Sequence, residues 1–121
     1  MVKRVLIVED EQDVAELVAD VLDLEGFAAQ ISSGEAAMDD ALHFNPDVVL
    51  LDLMMPVVDG FEVARRLRAN GTTRDLPIVV MTAMHDVAAR AAEVGTRYFL
   101  TKPFDIGELI QRVEDATLPG A

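Results

Sequence analysis

Hydrophobic residues along this chain fall into two patterns that alternate with one another. Short uninterrupted apolar runs occupy residues 5–8, 48–51 and 78–81, with weaker ones at 28–31 and 98–100. A run without polar alternation suits a strand buried on both faces, as in a parallel sheet covered by helices. Between the runs, apolar residues recur at helical spacing. Val14, Leu17, Val18, Val21 and Leu22 form one stripe, closed by Gly26 at the C′ position. Ser32-x-x-Glu35 reads as a capping box opening a second helix, which Asn45-Pro46 stops. A third is expected from Asp59 to Ala69, with Phe61, Ala64, Leu67 and Arg68 on one face and its border. Asp86 is placed to cap a fourth ending at Gly95, and Asp105 a fifth carrying Leu109, Ile110 and Val113. Residues 70–77, "NGTTRDLP", read as a surface loop and not a linker, because the alternation resumes directly after them.

Five strands alternating with five helices predict one α/β domain over residues 1–121, built on a parallel sheet with right-handed crossovers. Such sheets bind ligands beyond the carboxyl ends of their strands. Glu9, Asp10 and Glu11 follow the first run, Asp52 the third, Thr82 the fourth and Lys102-Pro103 the fifth. Each has a bland reading taken alone. Acids after a strand often begin a helix, where the macrodipole favours them. A lone threonine suits a strand, and a lone lysine a solvated surface. Asp52 resists that treatment, because it is flanked by Leu51 and Leu53 and a buried acid without a partner is costly.

Charge sharpens the picture. Asp and Glu number 22 against 10 Lys and Arg, giving a net charge of −12, and no basic run occurs anywhere. Such a surface repels nucleic acid and anionic membrane and favours cations or basic protein partners. The chain has no cysteine, which excludes disulfide and thiol chemistry and fits a cytoplasmic location. The N-terminal apolar run is too short for a signal peptide, and nothing approaches the ~18 apolar residues of a membrane span. Clustered carboxylates raise one another's pKa unless a cation joins them. Mg2+, or Mn2+ in its place, takes one or two carboxylates, waters and a phosphoryl oxygen. With that cation, Asp52 can act as a nucleophile toward phosphorus, Lys102 can neutralise the transferring group, and Thr82 can hydrogen-bond a phosphoryl oxygen.

Taken together, "LIVEDE", "LLDLMMPVVDG", "MTA" and "LTKPF" at these spacings resemble the receiver domains of two-component response regulators, over essentially the whole chain. The resemblance implies a flavodoxin-like, doubly wound sheet of order 2-1-3-4-5. It makes Asp52 the phosphoacceptor, Glu9 and Asp10 the acidic pair, Thr82 the switch hydroxyl and Lys102 the conserved-type lysine. The metal ligands would be Glu9, Asp10, Asp52 and the backbone carbonyl of Met54. Pro56 and Gly60 fit the family's loop, and the Lys102-Pro103 bond is expected to be cis. The implied partners are a sensor histidine kinase or phosphotransfer protein, and a downstream protein or an output domain beyond this chain. The tail 117–121 reads as a terminus or the start of a linker.

Several positions depart from that family. The aromatic switch position is Phe99, with Tyr98 beside it, so it offers no hydroxyl. Arg97-Tyr98 and Gly107 stand where the branch with winged-helix outputs places its dimer salt bridges, which cannot form with these residues. Met54 and Met84 occupy the two places flanking the approach of hydrolytic water, and predict a long-lived phosphoryl group. His43 and His85 lie without partner ligands and read as structural or surface residues. Two enzyme readings compete. A haloacid-dehalogenase-type phosphatase would want D-x-D where "VEDEQ" stands, and a flavodoxin-like electron carrier a hydroxyl- and glycine-rich loop there.

Overall fold

The computed structural model describes residues 2–118. In chain order the elements are β1 (Arg4–Val8), α1 (Gln12–Leu24), β2 (Ala28–Ser32), α2 (Ala37–Phe44), β3 (Val48–Asp52), α3 (Gly60–Ala69), β4 (Ile78–Thr82), α4 (Val87–Glu93), β5 (Tyr98–Thr101) and α5 (Ile106–Thr117). The five strands form one sheet in the order β2-β1-β3-β4-β5, and every neighbouring pair is parallel. Fold class and strand order therefore match the expectation from sequence.

The continuous apolar runs are the cause. Every residue of β3 and β4 is buried, because helices cover both faces. Strand alternation divides their side chains between two cores. Val5, Ile7, Leu50 and Met81 pack against α1 and α5 through Val18, Leu22, Leu109 and Val113. Leu6, Val8, Leu51 and Val80 pack against α2, α3 and α4 through Ala41, Val63, Leu67 and Ala91. Each fully buried aliphatic side chain contributes about 1.5–3 kcal/mol, so the two cores together hold the strand ends in a fixed register.

Several local expectations need correction. Ser32 does not open a capping box. It is the last residue of β2, in register with Val8, and its hydroxyl donates to Asp40 Oδ2 at 2.6 Å. Ser33 Oγ accepts the Ala36 N–H at 3.1 Å instead, and α2 begins only at Ala37 with no side-chain cap. Leu17 does not join the buried stripe of α1, which consists of Ala15, Val18 and Leu22. Asp86 occupies the N-cap position of α4 but caps nothing, because its backbone is left-handed (φ 53°). On α3, Val63 is buried where the sequence pattern gave only Phe61, Ala64 and Leu67. Arg68 is more than a border residue: its Nη1 donates to the carbonyls of Arg74 (2.8 Å) and Leu76 (2.6 Å), tying down the 70–77 loop. Thr73 in that loop is buried, its hydroxyl donating to the Leu67 carbonyl at 2.7 Å.

Other signals correspond directly to structure. Asp59 and Asp105 accept the N–H groups of Glu62 (2.9 Å) and Glu108 (2.7 Å), and Gly26 takes the left-handed conformation (φ 92°) after α1. His43 and His85 are exposed. No helix among the described residues is long and apolar enough to cross a membrane. Of the tail 117–121, residues 119–121 lie outside the described residues.

Candidate functional site

Because β1, β3, β4 and β5 run parallel, their carboxyl ends open on one edge of the sheet. Continuing the strand alternation, Glu9, Asp52 and Lys102 project on the side of α1 and α5, while Thr82 and Phe99 lie on the side of α4. The Lys102 N–H donates to the Thr82 carbonyl at 2.9 Å, which fixes where the β5 strand releases its lysine. The Lys102-Pro103 bond is cis, as expected.

Lys102 Nζ donates to Glu9 Oε2 at 2.6 Å and to Asp52 Oδ2 at 3.1 Å. The other Asp52 oxygen, Oδ1, accepts the Met54 N–H at 2.9 Å, and Glu9 Oε1 accepts the Glu11 N–H at 3.1 Å. These carboxylates are deeply set, with Glu9 3% exposed and Asp52 2%. Burial pushes the Glu9 carboxyl above its ordinary range; its bonds to Lys102 and Glu11 oppose the rise, and the Asp52 charge adds to it. Burial alone would pull the Lys102 ammonium down. The hydrogen bonds and charges of Glu9 and Asp52 outweigh that and hold it above its usual range. Lys102 therefore stays a cation between two acids.

The acidic pair divides its roles. Glu9 is buried against the lysine, whereas Asp10 is exposed at the mouth of the site. That division had no signal in sequence beyond Glu9 being the first residue past a buried strand. One carboxylate oxygen each from Glu9, Asp10 and Asp52 lies within 4.8 Å of the others. Three hard oxygen donors that close fit a hard divalent cation, which would also relieve their mutual repulsion.

Thr82 is fully buried, and its hydroxyl oxygen accepts the Met84 N–H at 3.3 Å, leaving the hydroxyl proton to donate. Phe99 and Met84 are half-buried against the core beneath α4, while Met54 is 58% exposed beside Asp52. Leu53, Met54, Met55, Phe61 and Met84 line an open apolar recess of about 440 Å³ next to the carboxylates.

The loop after β3 is held shut by Gly60, whose N–H donates to the Leu53 carbonyl at 3.1 Å. A Cβ there would collide with the Asp52 carbonyl oxygen and sit 2.5 Å from Leu53 Cα. The start of α3 thus lies directly against the backbone of the candidate acid. Gly60→Ala is expected to cost about 1–3 kcal/mol, because that backbone must shift to admit a methyl group. Urea unfolding measures it, and a variant as stable as the parent would show that the loop yields freely.

Comparison with known proteins agrees with this geometry. The family model for the response regulator receiver domain matches residues 5–114. Response regulator MprA from Mycobacterium sp. (strain KMS) is 40% identical over 113 residues, covering 91% of this chain and 48% of MprA. The DNA-binding dual master transcriptional regulator RpaA of Synechocystis is 36% identical, covering 91% of this chain and 47% of RpaA. The chain thus spans about half the length of these curated relatives. Among solved structures, chemotaxis protein CheY4 of Vibrio cholerae superposes with a TM-score of 0.88 at 25% identity, covering 96% of this chain and 99% of its own. The receiver domain of sensor histidine kinase PA1611 from Pseudomonas aeruginosa, which has a magnesium ion coordinated in its active-site cleft, superposes at 0.86 with 26% identity, covering 97% and 98%. From the parallel sheet to its acidic edge, this chain belongs to the response regulator receiver domains of two-component signalling.

Proposed function

We propose that Asp52 is the residue phosphorylated in this receiver, by a sensor histidine kinase or phosphotransfer protein in the cytoplasm. The observation that carries this reading is the Asp52 carboxylate itself. It is buried at a strand end, oriented by the Met54 N–H and neutralised by Lys102, with Glu9 and Asp10 beside it. Glu9, Asp10, Asp52 and the backbone carbonyl of Met54 would hold Mg2+, with Mn2+ able to substitute; the magnesium in the cleft of the Pseudomonas relative supports that choice. When bound, the cation supplies charge neutralisation for the phosphoryl oxygens.

An Asp52 oxygen attacks phosphorus, the new O–P bond forms as the P–N bond of the phosphohistidine breaks, and the imidazole nitrogen leaves with the electron pair. Positioning and electrostatics dominate such a transfer. Lys102 is already poised on Asp52, and Thr82 keeps a proton with which to bind a phosphoryl oxygen. Drawing Thr82 toward the new charge opens room on the α4 side, where Phe99 packs, so the signal passes to the face formed by α4, β5 and α5. The recipient is a downstream protein or an output domain of a longer regulator. The chain itself is a signalling domain that assists its own phosphorylation.

Incubation with acetyl phosphate, followed by peptide mapping, tests this reading. Label is expected on the Asp52 peptide only with Mg2+ or Mn2+, and Asp10→Asn should raise the cation concentration required. Label that forms equally well in a chelator, or on another peptide, would overturn the assignment.

The phosphoryl group is expected to persist. Neither Met54 nor Met84 can orient a water by hydrogen bonding, and their bulk stands beside the attack line, so water is poorly positioned. Met54→Asn/Met84→Glu should shorten the lifetime after donor removal by roughly tenfold or more, a fraction of the ~10²–10⁴-fold that an ideally positioned proton acceptor supplies. Unchanged decay in that double variant would show that the methionines only fill space.

A further inference from the structure

Folding brings together basic residues that one stretch of the chain concentrates. Six of the ten Lys and Arg residues lie between positions 65 and 97, against three acids there, while the rest of the chain carries four against nineteen. An open cleft of about 570 Å³ runs between α3 and α4, floored by Phe61, Ala64 and Val94 and rimmed by Arg65 and Arg68. At Gly95 it meets a second hollow, of about 340 Å³, under the amino ends of β4 and β5, where Arg74 and Arg97 stand beside Arg68. Gly95, at the join, holds the left-handed conformation (φ 78°) that turns the chain from α4 toward β5.

These guanidiniums are only partly neutralised from within. Arg65 is held through both Nε and Nη2 by Glu62, whose Oε1 also lies 3.5 Å from Arg66 Nε, so the unengaged forks are those deeper in the cleft. Glu93, on the cleft wall, is bridged at 3.0 Å by Arg90. Arg68 bonds two backbone carbonyls and, among the described residues, no carboxylate, and burial holds it below its ordinary range, opposed by the charge of Asp75. Arg97 is laid over the Tyr98 ring at 5.2 Å and donates to its hydroxyl at 3.0 Å, so its fork is held in place. Planar, pre-set guanidiniums around an apolar floor suit bidentate binding of carboxylates beside an apolar anchor.

We propose that this continuous α3–α4 cleft is a docking site for an acidic protein segment carrying an apolar anchor residue. Its occupant is chosen by charge. A nucleic acid would run from the cleft onto the strongly acidic remainder of the surface and be repelled, whereas a short acidic segment ends within the basic zone. The site lies outside the Asp52 cluster and does not depend on phosphorylation chemistry.

The test uses a fluorescein-labelled peptide of glutamates flanking one leucine, a matched peptide with glutamine for glutamate, and a single-stranded oligonucleotide of equal charge. Anisotropy gives affinity, and amide chemical shifts give location. The acidic peptide is expected to shift amides in residues 61–68, 74–78 and 93–98 and to bind less tightly as salt rises. Arg74→Glu/Arg97→Glu should weaken it at least roughly tenfold, because two attractive charges become repulsive toward the glutamates. Arg74→Gln/Arg97→Gln, which adds no repulsion, should weaken it to a smaller degree. Both variants should keep a dispersed amide spectrum and normal labelling by acetyl phosphate. Equal binding of the glutamine peptide or tighter binding of the oligonucleotide would overturn the proposal, as would shifts centred elsewhere or no shifts at millimolar peptide.

Discussion

Asparagine in place of Asp52 is expected to eliminate phosphoryl uptake altogether while leaving the fold intact. The amide matches the carboxylate in shape, so the β3 register with Met81 and the bond from the Met54 N–H can both survive. It is a far poorer nucleophile toward phosphorus, which makes the expected loss complete and not partial. Stability should barely move, because two effects oppose each other. The variant loses a charge-assisted bond to Lys102, yet it also removes one of two buried negative charges that share a single cation. A thermal midpoint within a few degrees of the parent, together with no label from acetyl phosphate, is the predicted result. Full labelling of Asp52→Asn would mean that another carboxylate receives the phosphoryl group. A collapse in stability would mean that the aspartate is there for structure.

Lys102→Ala should have the opposite character. Removing the ammonium leaves Glu9 and Asp52 buried and mutually repelling, with one hydrogen bond to a backbone N–H each. Breaking a buried ion pair from one side costs several kcal/mol, and the exposed mouth at Asp10 softens that to about 2–4 kcal/mol here. The thermal midpoint should fall by roughly 10 °C for a domain of this size. Millimolar Mg2+ should restore a good part of it, because a cation bound only by the folded form stabilises that form by mass action. Calorimetry with and without Mg2+ reads both. If the midpoint is unchanged, or does not respond to Mg2+, the lysine is not what holds the two carboxylates together.

The architecture was legible because strand burial and helix period leave separate marks. A run such as Val48-Val49-Leu50-Leu51 can be covered on both faces only by helices, and the parallel order then brings the strand ends to one edge. The gathering of Glu9, Asp10, Asp52 and Lys102 was legible for the same reason. Their division of labour was not, since it rests on Lys102 meeting Glu9 across the ends of β3 and β4 while the neighbouring Asp10 faces solvent. Ser32 misled because a cap motif is local, whereas pairing with Val8 across the sheet keeps that residue in a strand. Thr73 and Arg68 were opaque for a related reason. Their partners are backbone carbonyls, of the loop for Arg68 and of α3 for Thr73, which have no residue type to read. The arginine cleft was hidden by distance along the chain, since α3, the 70–77 loop and the start of β5 meet only after the crossovers are made.

Asp86 has a consequence beyond helix geometry. The side chains of Asp59 and Asp105 each hold an N–H of the first turn that follows them, but the side chain of Asp86, in its left-handed conformation, holds none, and α4 is only seven residues long. The amides that begin α4 thus rely on water or on transient partners, and few hydrogen bonds stand between that turn and local opening. In hydrogen exchange, Val87 to Ala89 should trade their protons for deuterium well ahead of α3 and α5. The helix nearest Phe99 can therefore open and rearrange at a small fraction of the free energy needed to unfold the sheet beneath it.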